Sequence, residues 1–392
     1  MKIKDFHKAD LKNKNVFLRM DYNVPIQDNK ILDTYKITSS FSTIVDVYKK
    51  KPRSIVIGTH LGRPKGEFNK DFSVFPIFCE LKKMITNAFG ENLVFCGYDG
   101  YRDSKFAMIE NLRFYSEEEN NYALDSHNSD MENKHLLSNF FEDNIDVVVV
   151  DAFGSLHRDS YSINRTNKPT YAGNLVLKEV KVASKIVSSN IDLIILGGCK
   201  VSDKIPILRS LISKCKSIFI VGGLAYTFMK FHSRKEIGRS VFSEESKEDV
   251  KQIYKLAKEN NIEIFLPEDF VIQVGDDVIL RKDIPADGVA YDIGPLTIGN
   301  LRNVVGKHKS IFWNGTPGVF EKEEYSHGSE ELVNILAGHR KYGRVVVGGG
   351  ESSACVKKYS SSDKFHFVST GGGAFLKFLS GEEMPGLNIL KE

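Results

Sequence analysis

The chain has only five cysteines in 392 residues (Cys79, Cys96, Cys199, Cys215 and Cys355), and no two of them form a CxxC pair. An odd, scattered set offers neither a disulfide frame nor a zinc site, so free thiols in a reducing compartment are expected. No run of about eighteen apolar residues occurs, which excludes a membrane-spanning helix. The opening MKIKDFHKADLKNK has no apolar signal core, and a cytoplasmic location is expected. Surplus charge is also lacking. A formal net charge of +3 argues against a dedicated nucleic-acid binder, while leaving room for a local basic cleft. There is no GxxxxGK[ST] and no convincing GxGxxG, so neither a P-loop protein nor a dehydrogenase is favoured. No repeat of 20–50 residues is found.

What is present is a series of short β-branched runs: NVFLRM, SIVIGTH, ENLVFCG, DVVVVDAFG, DLIILGG, SIFIVGG, SIFWNG, RVVVGGG and FHFVSTGGG. Segments with helical spacing, such as IPILRSLISKC and EDVKQIYKLAKEN, lie between many of them. Near-continuous apolar strands alternating with helices predict an α/β protein with parallel sheets covered on both faces. The length predicts two domains. The polar stretch 116–138 is expected to be an exposed helix and loop.

The strand ends divide the chain into two unlike halves, and ligands of open α/β sheets sit at the carboxyl ends of strands. In the first half those ends carry Asp21, Asn23, His60, Arg63, Arg113, His157 and Arg158. Arginine binds carboxylate or phosphate with a planar fork, so this half suits a small multiply charged anion; surface ion pairing is the plain alternative for any single arginine. In the second half the ends carry glycine: GGCK, VGG, NGTPG, GGGE and STGGG. Glycine lets backbone N–H groups approach a phosphate, and a following helix N-terminus favours negative charge. Lys200 sits in the GGCKVSDK turn; for Lys204, a few residues on, a solvated helix face is the alternative. One basic mouth and one glycine-lined mouth imply phosphoryl transfer between a nucleotide and an anionic acceptor, a chemistry of positioning and charge neutralisation.

VFLRMDYNVP, THLGRPKG, ENLRF, DAFGSLHR, GGCKVSDKI, GGLAYTF, FWNGTPGVFE, GGGESSACV and HFVSTGGGA, in that order from about residue 3 to residue 388, resemble the signature segments of the phosphoglycerate kinase family. The resemblance implies two Rossmann-like three-layer domains with a deep cleft and a hinge. The expected division is an acceptor domain over 1–172 completed by a tail 375–392, and a nucleotide domain over 173–374. It implies reversible phosphoryl transfer between ATP, with Mg²⁺, and the carboxylate of 3-phosphoglycerate, in a monomer. By position, acceptor binding falls on Asp21, Asn23, Lys36, His60, Arg63, Arg113 and Arg158. Nucleotide binding falls on Gly198, Lys200, Lys204, Gly222, Gly223, Asn314, Glu321, Gly349, Gly350, Glu351 and Ser352, with Glu351 holding the metal. Catalysis falls on Lys200, Lys36, Gly371, Gly372 and Gly373.

The chain departs from the family pattern at several of these places. Lys36 stands where the family has arginine, keeping the charge but losing the fork. Glu351 stands where the family has aspartate, one methylene longer beside an ion strict about geometry. Thr316 precedes Pro317 where the family reads WNGP, Phe375 replaces a serine, and Val150 replaces an asparagine. Three readings stay open on the sequence: a divergent working member, a paralogue acting on another phosphorylated carboxylic acid, and a weakly catalytic nucleotide-binding scaffold.

Overall fold

The computed structural model describes residues 1–96, 104–119, 136–199 and 201–392. The chain divides into two compact units, Met1–Lys181 with Glu383–Glu392, and Val182–Glu382. The first contains β1 (Asn15–Met20), the two-residue strands β2 (Ile26–Gln27) and β3 (Lys30–Ile31), α1 (Tyr35–Lys49), β4 (Ser54–Gly58), α2 (Phe75–Phe89), β5 (Leu93–Cys96), β6 (Phe106–Ile109), α3 (Leu136–Asn144), β7 (Val147–Asp151), β8 (Thr170–Ala172) and the start of α4 (Asn174–Ser188). The second contains β9 (Ile191–Leu196), α5 (Ile205–Leu211), β10 (Cys215–Ile220), α6 (Gly222–Phe228), α7 (Lys247–Glu259), β11 (Glu263–Phe265), β12 (Phe270–Val274), β13 (Asp277–Arg281), β14 (Val289–Ile293), α8 (Pro295–Gly306), β15 (Ser310–Asn314), α9 (His327–His339), β16 (Arg344–Val347), α10 (Gly350–Tyr359), β17 (Phe367–Val368) and α11 (Gly373–Ser380). The chain ends with α12 (Pro385–Asn388), back in the first unit.

Each expected run forms a strand, and each unit is built on a six-stranded parallel sheet. The orders are β5-β6-β4-β1-β7-β8 and β11-β10-β9-β15-β16-β17. Leu18 of β1 is in register with Ile57 on one side and Val149 on the other, and the central strand is wholly buried past its first residue. Helices present one face to these sheets: α1 buries Ile37, Ile44 and Val47, and α7 buries Val250, Ile253 and Ala257, the spacing expected of a single helical stripe. The sequence did not reveal a three-stranded antiparallel sheet, β13-β12-β14, in the second unit.

The unit boundaries differ from the expected 172/173 and 374/375, for reasons visible in the contacts. The N-terminus of α4 belongs to the first unit, where the Asp151 carboxylate accepts from Leu175 N (2.8 Å) and Val176 N (3.1 Å). Helix α11 belongs to the second, where Ser210 Oγ donates to Leu379 O at 2.6 Å and Phe375 faces Phe312 with centroids 6.2 Å apart. The return to the first unit begins at Glu383.

In each sheet the chain first builds one side of a central strand and then the other, with β6 inserted between β4 and the edge strand β5 in the first sheet, so the order reverses at β1/β7 and at β9/β15. Such switch points are where open sheets bind ligands.

A buried carboxyl on β14 makes the second unit sensitive to pH. Asp292 Oδ2 accepts from Gly328 N at 2.7 Å, while Oδ1 has no partner among the described residues. Burial pushes its pKa up to about 7, against hydrogen bonds from Gly328 and Ile293 that favour the anion. A raised carboxyl pKa contributes stability that is complete below about pH 4 and is lost as pH rises through about 7. Denaturant midpoints measured from pH 5 to pH 8 are therefore expected to fall, and Asp292→Asn is expected to flatten that slope by up to about one proton. An unchanged slope in the variant would contradict this assignment.

Candidate functional site

At the switch point of the first sheet, β1 ends in Asp21 and Asn23, β4 in His60, and β6 in Asn111 and Arg113, with Arg158 in the segment after β7. Asp21 Oδ2 accepts from Lys36 Nζ at 3.0 Å, so the shorter cation that replaces the family arginine is held by the neighbouring strand end. Asn23 Oδ1 accepts from Gly62 N at 3.1 Å, tying the ends of β1 and β4 together. Arg113 NH1 donates to Gly62 O at 2.6 Å, adding the end of β6. His60 lies among these groups. Burial, and then the charges of Arg19, Arg113, Lys36 and Arg158, hold its pKa well below the usual imidazole range, so it is a neutral hydrogen-bonding group at pH 7. Arg63, after His60 on the same loop, is exposed and makes no ion pair among the described residues.

Three contributors escaped the sequence reading. Arg19, fully buried in β1, pairs with Glu118 at 3.3 Å and donates to Ser162 Oγ at 2.9 Å. Glu119 Oε1 lies 2.7 Å from Arg113 Nε and 3.9 Å from Arg158 NH1. The expectation that residues 116–138 are exposed is thus wrong at its start. Glu117 and Glu118 are buried, because one accepts from Leu137 N at the start of α3 (2.7 Å) and the other answers Arg19; residues 120–135 lie outside the described residues. Asn111 is the third. Its side chain accepts from Leu61 N (3.2 Å) and Arg113 N (3.0 Å) and donates to Leu61 O (2.7 Å) and Phe72 O (2.9 Å). One buried amide therefore fixes both the His60 loop and the Arg113 backbone.

In the second unit the glycine turns meet at the β9/β15 switch point. Gly197 N donates to Asn314 O (2.8 Å) and Gly198 N to Thr316 O (3.1 Å). Gly315 has φ +85, and a Cβ there would collide with the Gly197 carbonyl, so this approach of two strand ends requires glycine. Asn314 is engaged on both sides: its Oδ1 accepts from Lys204 Nζ, and its Nδ2 donates to Gly348 O at 2.7 Å. Lys204 is buried, not on a solvated helix face. Burial lowers its pKa, and the carboxylates of Glu351 and Asp203 act in the opposite direction. Ser352 is also turned inward, its Oγ accepting from Gly315 N at 2.6 Å. Gly349 (φ +92) leads into α10, which starts at Gly350.

Glu351, in the first turn of α10, is exposed. Its Oε2 comes within 3.0 Å of where a Cβ on Gly198 would lie, with the Lys204 stem nearby. The charge of Glu351, with that of Glu321, also reaches Cys199, whose thiol is pushed up first by burial and then by these two carboxylates. Gly371 N donates to Ser369 Oγ (3.0 Å), and Gly372 (φ +52) precedes α11, which starts at Gly373. Lys200 lies outside the described residues. Beside Gly198, Gly222 and Gly223 the structure has a pocket of about 350 Å³, walled also by Tyr226, Val289, Ala290, Tyr291 and Val319. Its size and apolar walls suit a flat aromatic group next to a phosphate-binding turn. A groove of about 1070 Å³ between the β2–β3 hairpin and α2 is larger, but none of the predicted site residues lines it.

Among the described residues no group of three or more His, Cys, Asp or Glu side chains converges to cage a metal. One exposed carboxylate beside glycine turns does suit Mg²⁺, which usually binds through one or two carboxylates together with substrate phosphates.

Two parallel sheets ending respectively in a basic cluster and in glycine turns define a phosphotransferase. The phosphoglycerate kinase family model matches residues 3–382. The chain is 37% identical to the phosphoglycerate kinase of Kluyveromyces lactis over 402 residues, covering 97% of this chain and 96% of that protein. It is 35% identical to that of Saccharomyces cerevisiae over 410 residues, covering 98% and 97%. The solved phosphoglycerate kinase of Coxiella burnetii superposes with a TM-score of 0.82 at 30% identity, covering 99% of this chain and 98% of that one. That of Pyrococcus horikoshii gives 0.78 at 27%, with the same coverage. The chain belongs to the phosphoglycerate kinase family and is a kinase of glycolysis.

Asn111→Ala removes the amide that anchors two strand-end loops. Loss of a buried, fully used hydrogen-bonding group is expected to cost about 1–3 kcal/mol of stability, and the acceptor KM is expected to rise because Arg113 loses its backbone support. Thermal denaturation and acceptor titration check both; unchanged values would show that the loops hold themselves.

Proposed function

We propose that the first unit binds 3-phosphoglycerate and the second binds ATP or ADP with Mg²⁺, and that the chain moves the terminal phosphoryl group from ATP to the acceptor carboxylate. The products are 1,3-bisphosphoglycerate and ADP, and the reaction is reversible. One observation carries this reading: Lys36, His60, Arg113 and Arg158 converge in one unit, whereas positive-φ glycines converge with Lys204 and Glu351 in the other.

The acceptor carboxylate has a pKa near 4 and is ionised at neutral pH, so no general base is required. The barrier is the repulsion between two anions. Lys36, steadied by Asp21, faces the acceptor; His60, held neutral, donates a hydrogen bond without adding charge. Arg113 and Arg158 take the acceptor's own phosphate or carboxylate. Lys200 and the Gly371–Gly373 turn neutralise the migrating group, and the α10 N-terminus with Gly349 and Gly350 takes nucleotide phosphate. Glu351 holds Mg²⁺, which supplies charge neutralisation at the nucleotide phosphates when bound. Lys204 and Ser352 act through Asn314 and Gly315, positioning the turns. The apolar pocket at Tyr226 and Tyr291 takes the base, with Glu321 at the ribose. Transfer must exclude water, or ATP would be hydrolysed instead, and hinge-bending closure is the proposed means. We assign a cytoplasmic monomer with no nucleic-acid partner.

A coupled assay tests the reaction: turnover of ATP with 3-phosphoglycerate is expected, and turnover only with other acids would move the chain to a paralogous activity. Lys200→Ala is expected to lower kcat by about a hundredfold or more, the scale of losing a donor to transition-state charge. Lys36→Arg is expected to preserve or raise kcat/KM for 3-phosphoglycerate. Glu351→Ala is expected to raise the magnesium needed for nucleotide binding, read by titration with and without chelator. Near-normal kcat in the first variant, a large loss in the second, or an unchanged magnesium requirement in the third would each remove the corresponding role.

A further inference from the structure

The basic cluster of the first unit is already largely neutralised from within. Four cations surround His60, and three carboxylates answer them: Asp21 on Lys36, Glu118 on Arg19, and Glu119 on Arg113 and Arg158. Two of these carboxylates are committed. Asp21 is buried at the end of β1. Glu118 is buried and accepts from Ser162 Oγ (2.8 Å) and Ser162 N (2.9 Å) as well as pairing with Arg19.

Glu119 is different. A single oxygen, Oε1, answers both arginines, and the side chain retains 24% exposure beside an Arg113 that retains 6%. Its contacts among the described residues are these two guanidinium groups. Arg113 has a second anchor that does not involve Glu119, Gly62 O at 2.6 Å. The carboxylate therefore occupies the position that an external carboxylate or phosphate oxygen would take, and it can leave without dismantling the loop that carries Arg113.

We propose that Glu119 is a resident counter-ion for Arg113 and Arg158, displaced when the anionic acceptor binds, and that it sets acceptor affinity. This rests on the reading that these arginines take the acceptor. Two close guanidinium groups repel each other: burial, then Arg158 and Arg19, lower the Arg113 pKa, and Glu119 is the largest influence in the opposite direction, leaving it at about 10. In the empty protein Glu119 relieves that repulsion; in the bound protein the ligand does so. Ligand and side chain compete for one position, so ligand affinity is reduced by whatever the internal pair contributes.

Glu119→Gln, in the full chain without nucleotide, separates this role from a merely structural one. Two probes are titrated calorimetrically: inorganic phosphate and 3-phosphoglycerate. The variant is expected to bind both about fivefold more tightly or better, within the usual range of coupling between sites. Its melting temperature is expected to be lower than wild type when empty and to rise more on saturation. Unchanged or weaker binding together with a lower melting temperature would overturn the proposal, leaving Glu119 a structural ion pair. If the glutamine variant does not fold, Glu119→Asp, which keeps the charge but shortens its reach, is read by the same titration: tighter binding supports the proposal and weaker or equal binding overturns it. The phosphate arm needs no turnover, so a tighter phosphate site in a chain inactive on 3-phosphoglycerate would count against the assigned reaction and not against the counter-ion.

Discussion

Parallel pairing of consecutive strands is the constraint on which the rest of this molecule depends. In a parallel sheet every strand ends on the same edge, so residues far apart in the chain are brought side by side by register alone. Leu18 aligned with Ile57 and Val149 brings Asp21, His60 and the segment leading to Arg158 to one edge. Leu193 aligned with Ser217 and Ile311 does the same for Gly198, Gly222 and Gly315. The register of these largely apolar strands determines which polar groups become neighbours.

The two edges are suited to negative charge in different ways. In the first unit this rests on side chains, and crowding cations in a partly buried place has a cost. The unit meets that cost locally, with a neutral His60 and with carboxylates set against each cation. In the second the strand ends carry glycine: turns at Gly198, Gly315 and Gly349 present no side chain, so backbone segments approach one another closely, and Lys204 is fastened to Asn314 beside them. Phe375, where the family has serine, is buried against Phe312 and Phe367, so this departure is absorbed by packing. The replacement of the family arginine by Lys36 is absorbed differently, by an ion pair to Asp21.

Much of this was legible in the sequence because it is local. A β-branched run followed by Gly-Gly, or by His and Arg, declares a strand and its end within ten residues. What escaped was long-range. Glu118 and Glu119 sit in a stretch whose composition suggests solvent, yet the first is buried against Arg19, about a hundred residues earlier, and the second pairs with Arg113 and Arg158. Nothing near Asn111 reveals that its amide reaches Leu61 and Phe72. The pocket beside Gly198 is walled by the turn after β9, by α6, by the segment holding Arg239 and Val241, by β14 and by the segment after β15, five places joined only by the fold. Arg63, which its motif assigns to the same mouth, is exposed.

The central claim is that each ligand belongs to one kind of strand end. Hydrogen exchange of the full chain, followed by mass spectrometry with each ligand alone, tests this most directly. With 3-phosphoglycerate, slowed exchange is expected over 59–66 and 110–115 and not over 197–223 or 348–353; with magnesium and ADP the pattern is expected to reverse. Protection of the glycine turns by the acceptor, or of the His60 and Arg113 segments by the nucleotide, would contradict the division of labour between the two sheets.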